Sequence, residues 1–407
     1  MTTNRLLLGD CLPHLRSLED NSIDTLITDP PYGYSFLGAK WDIDVPSVEI
    51  WQECRRVLKP GSMAFVFSAP RADVQTEMLV RLKAAGFSIS FTPLYWVYSN
   101  GFPKASNMAK VAAKRGIDAQ QLDGAYAGWQ PKPAVEVIIV AMKPIEEGTY
   151  LDQALANGKS VTWLDDCRIP TADYRCAGIR TANFGESTTQ SGGNGTAPYI
   201  PNTEGRFPAN LLVSDDVLND GTTTKGGTFP SKRGASAMFG LGDADNHNEF
   251  VGQITDEGSK SRFFSLDNWW SKRVDDLPHK VKMTFPFLMV PKASKSEKSV
   301  GCEAFEVAVV DARSDTAKGS YVDKGIAPQK NSHPTVKPLD VMSYLVTLGS
   351  RPNDVVLDPF MGSGTTGVAA VLLDRAFVGC EMEPNYYAIA DARVSAAEDA
   401  PKQDDLF

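Results

Sequence analysis

Residues 1–145 alternate short apolar runs with amphipathic stretches. RLLLGD, IDTLITD, SMAFVFSA, FSISFTPLYWVYS and VEVIIVAM have the length and the β-branched and aromatic content of strands. Between them, VEIWQECRRVLK and ADVQTEMLVRLKAAG repeat apolar positions at helical spacing. Strands alternating with helices predict an α/β fold, with a mostly parallel sheet covered on both faces. No helical pattern of matching strength separates FSISFTPLYWVYS from VEVIIVAM, so that pair is expected to form an antiparallel edge.

The periodicity fades over residues 146–330, where GESTTQSGGNGTAPYIPNTEG, near 184–205, reads as a Gly/Ser/Thr-rich loop. It returns over residues 331–398. There HPTVKPLDVMSYLVTLGS reads as a helix with proline near its start. A strand DVVLDPF, a glycine turn MGSGTTG, a helix VAAVLLD, a strand AFVGCEM and a helix PNYYAIADARVSAAE follow. Residues 399–407 are expected to be a frayed tail. By length the chain can hold two or three domains, or one large domain with an insertion.

Of the 407 residues, 42% are hydrophobic and 22% charged, enough to bury a core. No apolar run reaches the length of a membrane span, and no basic segment leads into a signal-like core at the N-terminus, so a cytoplasmic protein is expected. The six cysteines are widely spaced without a Cys-x-x-Cys pair, and there are four histidines. Neither a disulfide framework nor a metal site is suggested.

A net charge of −9 argues against a polyanionic partner, yet Lys260–Lys298 carries nine basic residues against four acidic ones. They are interleaved with Phe263, Phe264, Trp269 and Trp270, a combination suited to phosphate contact and base stacking. Lys272 and Arg273 are the candidate contacts within it. A solvated face beside an apolar patch is the alternative.

The chemistry gathers in two stretches. In TDPPYGYSF an apolar run ends in Asp29, Pro30, Pro31 and Tyr32. Two prolines fix two φ angles and remove two donors, so a carboxylate, stiff carbonyls and an aromatic ring sit together where α/β sheets bind ligands. An ordinary turn has the same composition. In DVVLDPFMGSGTTGVAA a strand ends in Asp358 and a glycine-rich turn opens a helix. Gly362 and Gly364 permit close backbone approach, while Thr365 and Thr366 can cap the helix or hold a ligand. Gly362, Gly364 and Gly367 match a dinucleotide fingerprint, and no lysine stands where a phosphate-binding loop needs one. The next strand ends in Glu381, an acid placed to accept both hydroxyls of a ribose.

Together, TDPPYG and DPFMGSGTT resemble the two signature motifs of the amino-group DNA methyltransferases that use S-adenosylmethionine, and HPTVKPLDVM is similar to the helix before the cofactor motif in their β group. The chain has that group's order: catalytic motif, long middle, cofactor motif. The resemblance covers residues 1–145 and 331–398, about half the chain. SNGFPKASN, GRFPANLL and PKASKSEK in the middle are similar to phage and prophage members.

The resemblance implies a Rossmann-like methyltransferase sheet in circularly permuted motif order. Residues 1–145 would be its catalytic part, 146–330 an inserted target-recognition region and 331–398 the cofactor-binding part. Asp358, Pro359, Phe360, Gly362, Ser363 and Gly364, with Thr365 and Thr366, would wrap the methionine part of S-adenosylmethionine, with Glu381 on the ribose. Asp10 and Cys11, in GDCLPHL, would hold the adenine ring, and Lys337 would lie near the cofactor carboxylate; a plain strand-to-helix turn and a helix cap are the alternatives for these two.

Asp29 and the Pro30 carbonyl would accept the hydrogens of a base's exocyclic amine, beside the cofactor. Tyr32 would stack on the flipped base, and Trp96 and Tyr98 would clamp its other face or else pack in the core. The implied partner is double-stranded DNA. A homodimer is an expectation from the group, and whether a cognate restriction enzyme exists is unknown. Asp at position 29 favours adenine N6 over cytosine N4. A non-catalytic DNA-binding protein is the rival reading, against which the intact motifs stand.

Overall fold

A computed structural model of the chain describes residues 4–33, 42–98, 105–129, 134–170, 205–225, 228–230, 251–253, 257–276 and 335–399, with Pro131, Ser299, Gly301, Cys302, Phe305, Asn331 and His333. Residues 184–204 of the glycine-rich loop, Lys280–Lys298 and the tail from 400 lie outside the described residues.

The strands are β1 (Arg5–Leu8), β2 (Thr25–Thr28), β3 (Met63–Ser68), β4 (Leu94–Val97), β5 (Val135–Met142), β6 (Leu211–Val213), β7 (Thr224–Lys225), β8 (Thr228–Pro230), β9 (Val251–Gln253), β10 (Glu257–Gly258), β11 (Val355–Asp358) and β12 (Ala376–Glu381). Eight form one sheet in the order β1-β12-β11-β2-β3-β5-β4-β6, and the rest make two short ribbons. The helices are α1 (Cys11–Arg16), α2 (Val48–Val57), α3 (Ala72–Ala84), α4 (Met108–Lys114), α5 (Tyr150–Asn157), α6 (Leu266–Asp276), α7 (Leu339–Gly349), α8 (Thr365–Leu372) and α9 (Pro384–Glu398).

Alternation along the strands feeds two cores. In β3, Phe65 and Phe67 join the layer of α6 to α9 with Trp269, Tyr344, Val368 and Val394. Ala64 and Val66 join that of α1 to α3 with Leu15, Trp51 and Met78. The sheet is an α/β sandwich of the Rossmann-like kind, and only β5 runs against its neighbours.

The two ends of the chain interleave, β11 lying between β12 and β2. From β11 the chain crosses through α8 to β12 on one side; from β2 it crosses through α2 to β3 on the other. A crevice opens where two such crossovers part, at the C-terminal ends of β11 and β2.

The antiparallel arrangement of the β4 and β5 segments is as expected, but their position is not. β5 lies between β3 and β4, and β6 from the middle region pairs with the outer side of β4. Three residues are too few to show a period in the sequence. β4 also begins only at Leu94, just after Pro93, which has no N–H to donate to a ladder. The aromatics of α6 are corrected too: Trp269 and Trp270 are buried in the core, Trp269 edge-on to Tyr344 at 5.0 Å, and are not stacking platforms.

Candidate active site

β2 is fully buried and delivers Asp29 to the crevice mouth. The Tyr32 hydroxyl donates to Asp29 Oδ1 at 2.6 Å. Beneath them, buried Asp42 accepts the backbone N–H of Tyr32 and of Gly33 on Oδ1, each at 2.8 Å, so the Pro-Pro-Tyr-Gly turn is tied down from below. Asp42 gave no signal in the sequence, because its role rests on a contact across the turn.

The second oxygen of Asp29 is taken by Lys337, from the segment entering α7: Nζ lies 2.5 Å from Asp29 Oδ2 and 3.3 Å from Glu136 Oε2. Burial works against the ammonium, but the two carboxylates outweigh it and hold its pKa above the ordinary lysine range. Tyr98, just past β4, packs against the same group; burial and the nearby Glu136 charge push its hydroxyl up to about 12.

Across the crevice, Asp358 ends β11 and is only 2% exposed. Its Oδ1 accepts from Thr28 Oγ1 at 2.6 Å and from Phe360 N at 3.1 Å, and its Oδ2 accepts from Thr366 Oγ1 at 2.6 Å. Burial pushes its pKa up to about 6, against the pull of those donors.

The turn that follows needs glycine twice. Gly362 and Gly364 have φ of +52° and +78°, and a Cβ would meet His333 Nε2 at 2.7 Å and Ala390 Cβ at 2.9 Å respectively. The close approach is therefore to the protein's own layers. His333 Nδ1 accepts the Thr335 N–H, and burial beside Lys337 and Arg393 lowers the ring's pKa to about 3, so it is a neutral wedge. From α9, buried Arg393 donates to Ser363 O, Ser363 Oγ and Thr365 Oγ1, clamping the turn from behind.

On the neighbouring strand Glu381 is half-buried, and Leu8, opposite it in register, leads through Gly9 to Asp10. Burial pushes the Glu381 carboxyl up to about 7, while the backbone N–H groups of Glu383 and Gly362 oppose the shift. Asp10 Oδ1 caps α1 by accepting Leu12 N at 3.0 Å. The chain thus lines the ends of four neighbouring parallel strands with Asp10, Glu381, Asp358 and Asp29.

These contacts place the residues that the sequence singled out. Asp358, Ser363, Thr365 and Thr366 are buried with side chains bonded inside the protein, which shapes the turn. Neither threonine caps α8, whose N-cap is Gly364. The Cys11 side chain packs into the α1–α2 core, and burial pushes its thiol up to about 12. Trp96 is 6% exposed and spends its indole N–H on Ser214 Oγ at 3.0 Å, which removes it from any base clamp. Arg273 donates to the Asp166 carbonyl and lies over the Trp269 ring, while Lys272 stays exposed. Lys337 spends its ammonium on Asp29 and Glu136 and caps no helix.

Residues 232–392, about two fifths of the chain, match a family model described as DNA methylase (N6_N4_Mtase). A stretch of 64 residues is 44% identical to the type II methyltransferase M2.MboI of Moraxella bovis, covering 16% of this chain and 23% of that protein. Another of 78 residues is 40% identical to the type II methyltransferase M.HinfI of Haemophilus influenzae, covering 19% and 22%. The chain therefore matches less than a quarter of the length of these curated relatives. The solved PvuII DNA methyltransferase (cytosine-N4-specific) is similar with TM-score 0.42 and 14% identity, over 97% of this chain and 87% of that one, a likeness too slight to argue from. Over these stretches the chain is similar to N6/N4 DNA methylases. Among the described residues, no helix is long and apolar enough to cross a membrane, and no His/Cys/Asp/Glu group is arranged to hold a metal.

Proposed function

We propose that the chain moves the methyl group of S-adenosylmethionine to the exocyclic amine of a flipped-out base in duplex DNA, adenine N6 in preference to cytosine N4. The observation that carries this reading is the position of Asp29: at the switch point of the sheet, braced by Tyr32, and one residue from the Thr28 bond to the glycine turn.

The residues present suit the cofactor. Glu381 and Asp10 offer carboxylate acceptors to ribose and adenine, and the turn of residues 359–364 supplies backbone between them and Asp29. Bound there, the cofactor supplies an electrophilic methyl group on a sulfonium. The rest is done by the protein. An exocyclic amine is a weak nucleophile because its lone pair is delocalised into the ring. Asp29 and the Pro30 carbonyl accept hydrogen bonds from its N–H groups and let the nitrogen become tetrahedral. As the N–C bond forms the methyl–sulfur bond would break to leave a neutral thioether, and the surplus N–H proton would pass through Asp29 to water. The prolines and Asp42 keep those acceptors in place, and fixed dipoles need no reorganisation during reaction. Holding amine and methyl group in line is worth up to roughly 7–11 kcal/mol in favourable cases.

Support for a duplex partner comes from the segment between β4 and β5, which leaves β4 at the same end of the sheet as Asp29, the C-terminal ends of the parallel strands. It exposes Lys110, Lys114, Arg115, Tyr126 and Trp129, the last 89% exposed. Cations beside exposed rings fit phosphate and base contact. The preference for adenine rests on Asp in place of Ser before Pro30.

The test is transfer of labelled methyl from S-adenosylmethionine to unmethylated duplex DNA, followed by nucleoside digestion and mass spectrometry. N6-methyladenine is the expected product. N4-methylcytosine would reverse the base assignment, and DNA without label would end the reading.

A further inference from the structure

We propose that Lys337 and Glu136 are positioning residues of the target-base pocket: Lys337 sets the orientation of the Asp29 carboxylate, and Glu136 holds Lys337 in place. The inference rests on the methyl-transfer reading for its consequence, but its geometry stands without it.

Three elements meet at this point. Lys337 is followed by Pro338, the N-cap of α7, and all eleven residues of that helix are buried, so the lysine's backbone is anchored. Glu136 lies on β5 opposite Trp96 of β4, whose indole is pinned to Ser214. Phe67 of β3 places its ring 5.1 Å from the ammonium, closing the pocket with an apolar face. A single cation therefore sits between two carboxylates in a largely desolvated site.

The consequence concerns geometry at Asp29. A carboxylate has about four lone-pair sites. Tyr32 occupies one on Oδ1 and Lys337 one on Oδ2, which fixes the plane of the group and leaves the remaining sites for an amine. Without Lys337, two like charges would face each other across the vacated space, and Asp29 would turn away from Glu136. Without the Glu136 charge, Lys337 would have only Asp29 and would follow it. The lysine is thus assigned to the Asp29 carboxylate, where the resemblance had placed it near the cofactor carboxylate.

The test uses the full chain with Lys337→Met, Lys337→Arg and Glu136→Gln. Three quantities are read: single-turnover transfer at saturating cofactor and DNA, S-adenosylmethionine Kd by calorimetry, and flipping of a 2-aminopurine placed at the target position. For Lys337→Met, the transfer rate is expected to fall by about 100-fold, the loss that a 1 Å misplacement can bring, with cofactor Kd and base flipping retained. Lys337→Arg should recover most of the rate, and Glu136→Gln should lose part of it at unchanged cofactor Kd.

Weaker cofactor binding with an unchanged saturated rate in Lys337→Met would assign the lysine to the cofactor and overturn the inference. If Lys337→Met does not fold, Glu136→Gln decides: an unchanged rate overturns the proposal. If the wild-type chain transfers no methyl group, the functional reading fails separately. Crystal structures then decide the inference, which is supported by an Asp29 side chain turned away from Glu136 in Lys337→Met and overturned by one that has not moved.

Discussion

Thr28 Oγ1 donates to Asp358 Oδ1 at 2.6 Å, across 330 positions of sequence. Thr28 is the last residue of β2 and Asp358 the last of β11, so this buried bond ties the base-side acceptor to the turn on the cofactor side. Replacing Thr28 by valine keeps the shape and leaves a buried carboxylate short of one donor, a loss of about 1–3 kcal/mol. Denaturant unfolding should show that loss. Cofactor affinity and transfer rate should fall together, because both sides hang on the same contact.

Asp29→Ala should abolish methyl transfer while S-adenosylmethionine still binds. Its carboxylate touches Tyr32 and Lys337, and the cofactor carboxylates stand on other strands. Calorimetry beside a transfer assay separates the two. Normal turnover in this variant would end the mechanism.

Arg393→Met removes the clamp behind the glycine turn, where one guanidinium nitrogen reaches Ser363 O, Ser363 Oγ and Thr365 Oγ1. Hydrogen bonds to a charged group contribute about 1.5–3 kcal/mol each. The expected outcome is a less stable protein whose cofactor Kd rises even at temperatures where it remains folded.

If Glu381 holds the ribose as proposed, cofactor binding depends on pH. Burial raises its carboxyl to about 7, so below that value it holds a proton and cannot accept from both ribose hydroxyls. Affinity should therefore increase from about pH 6 to about pH 8, and Glu381→Gln should flatten the dependence. Folding stability runs the other way. A raised carboxyl pKa favours the folded state while the group is protonated, and that contribution is lost as pH rises through about 7.

Trp129→Ala should weaken duplex binding by about 1–3 kcal/mol if the ring stacks on a base, and leave cofactor affinity unchanged. Charge reversal at Lys114 and Arg115 should weaken binding further and lower its salt dependence. Fluorescence anisotropy with labelled duplex measures both effects. Unaltered affinity would move the DNA surface elsewhere.

Local pattern determined a good deal. Strand and helix periods marked β1, β2, β3, α2, α3, α8, β12 and α9 close to where they lie. Proline and glycine marked the two turns that meet in the crevice, because steric limits on φ are written into single residues. The placing of Asp29 at a strand end followed from the same logic.

What tertiary structure alone decided is which side of each motif faces inward. Asp358, Thr365 and Thr366 face inward, and Trp96, Trp269 and Trp270 lie in the core. Asp42, Glu136 and Arg393 entered the site with no local signal, since each acts on a residue from another element. Lys337 shows the reason most plainly. Its partner Asp29 is 308 positions away, and an ammonium between two carboxylates exists only once β2, β5 and the segment before α7 have been brought together.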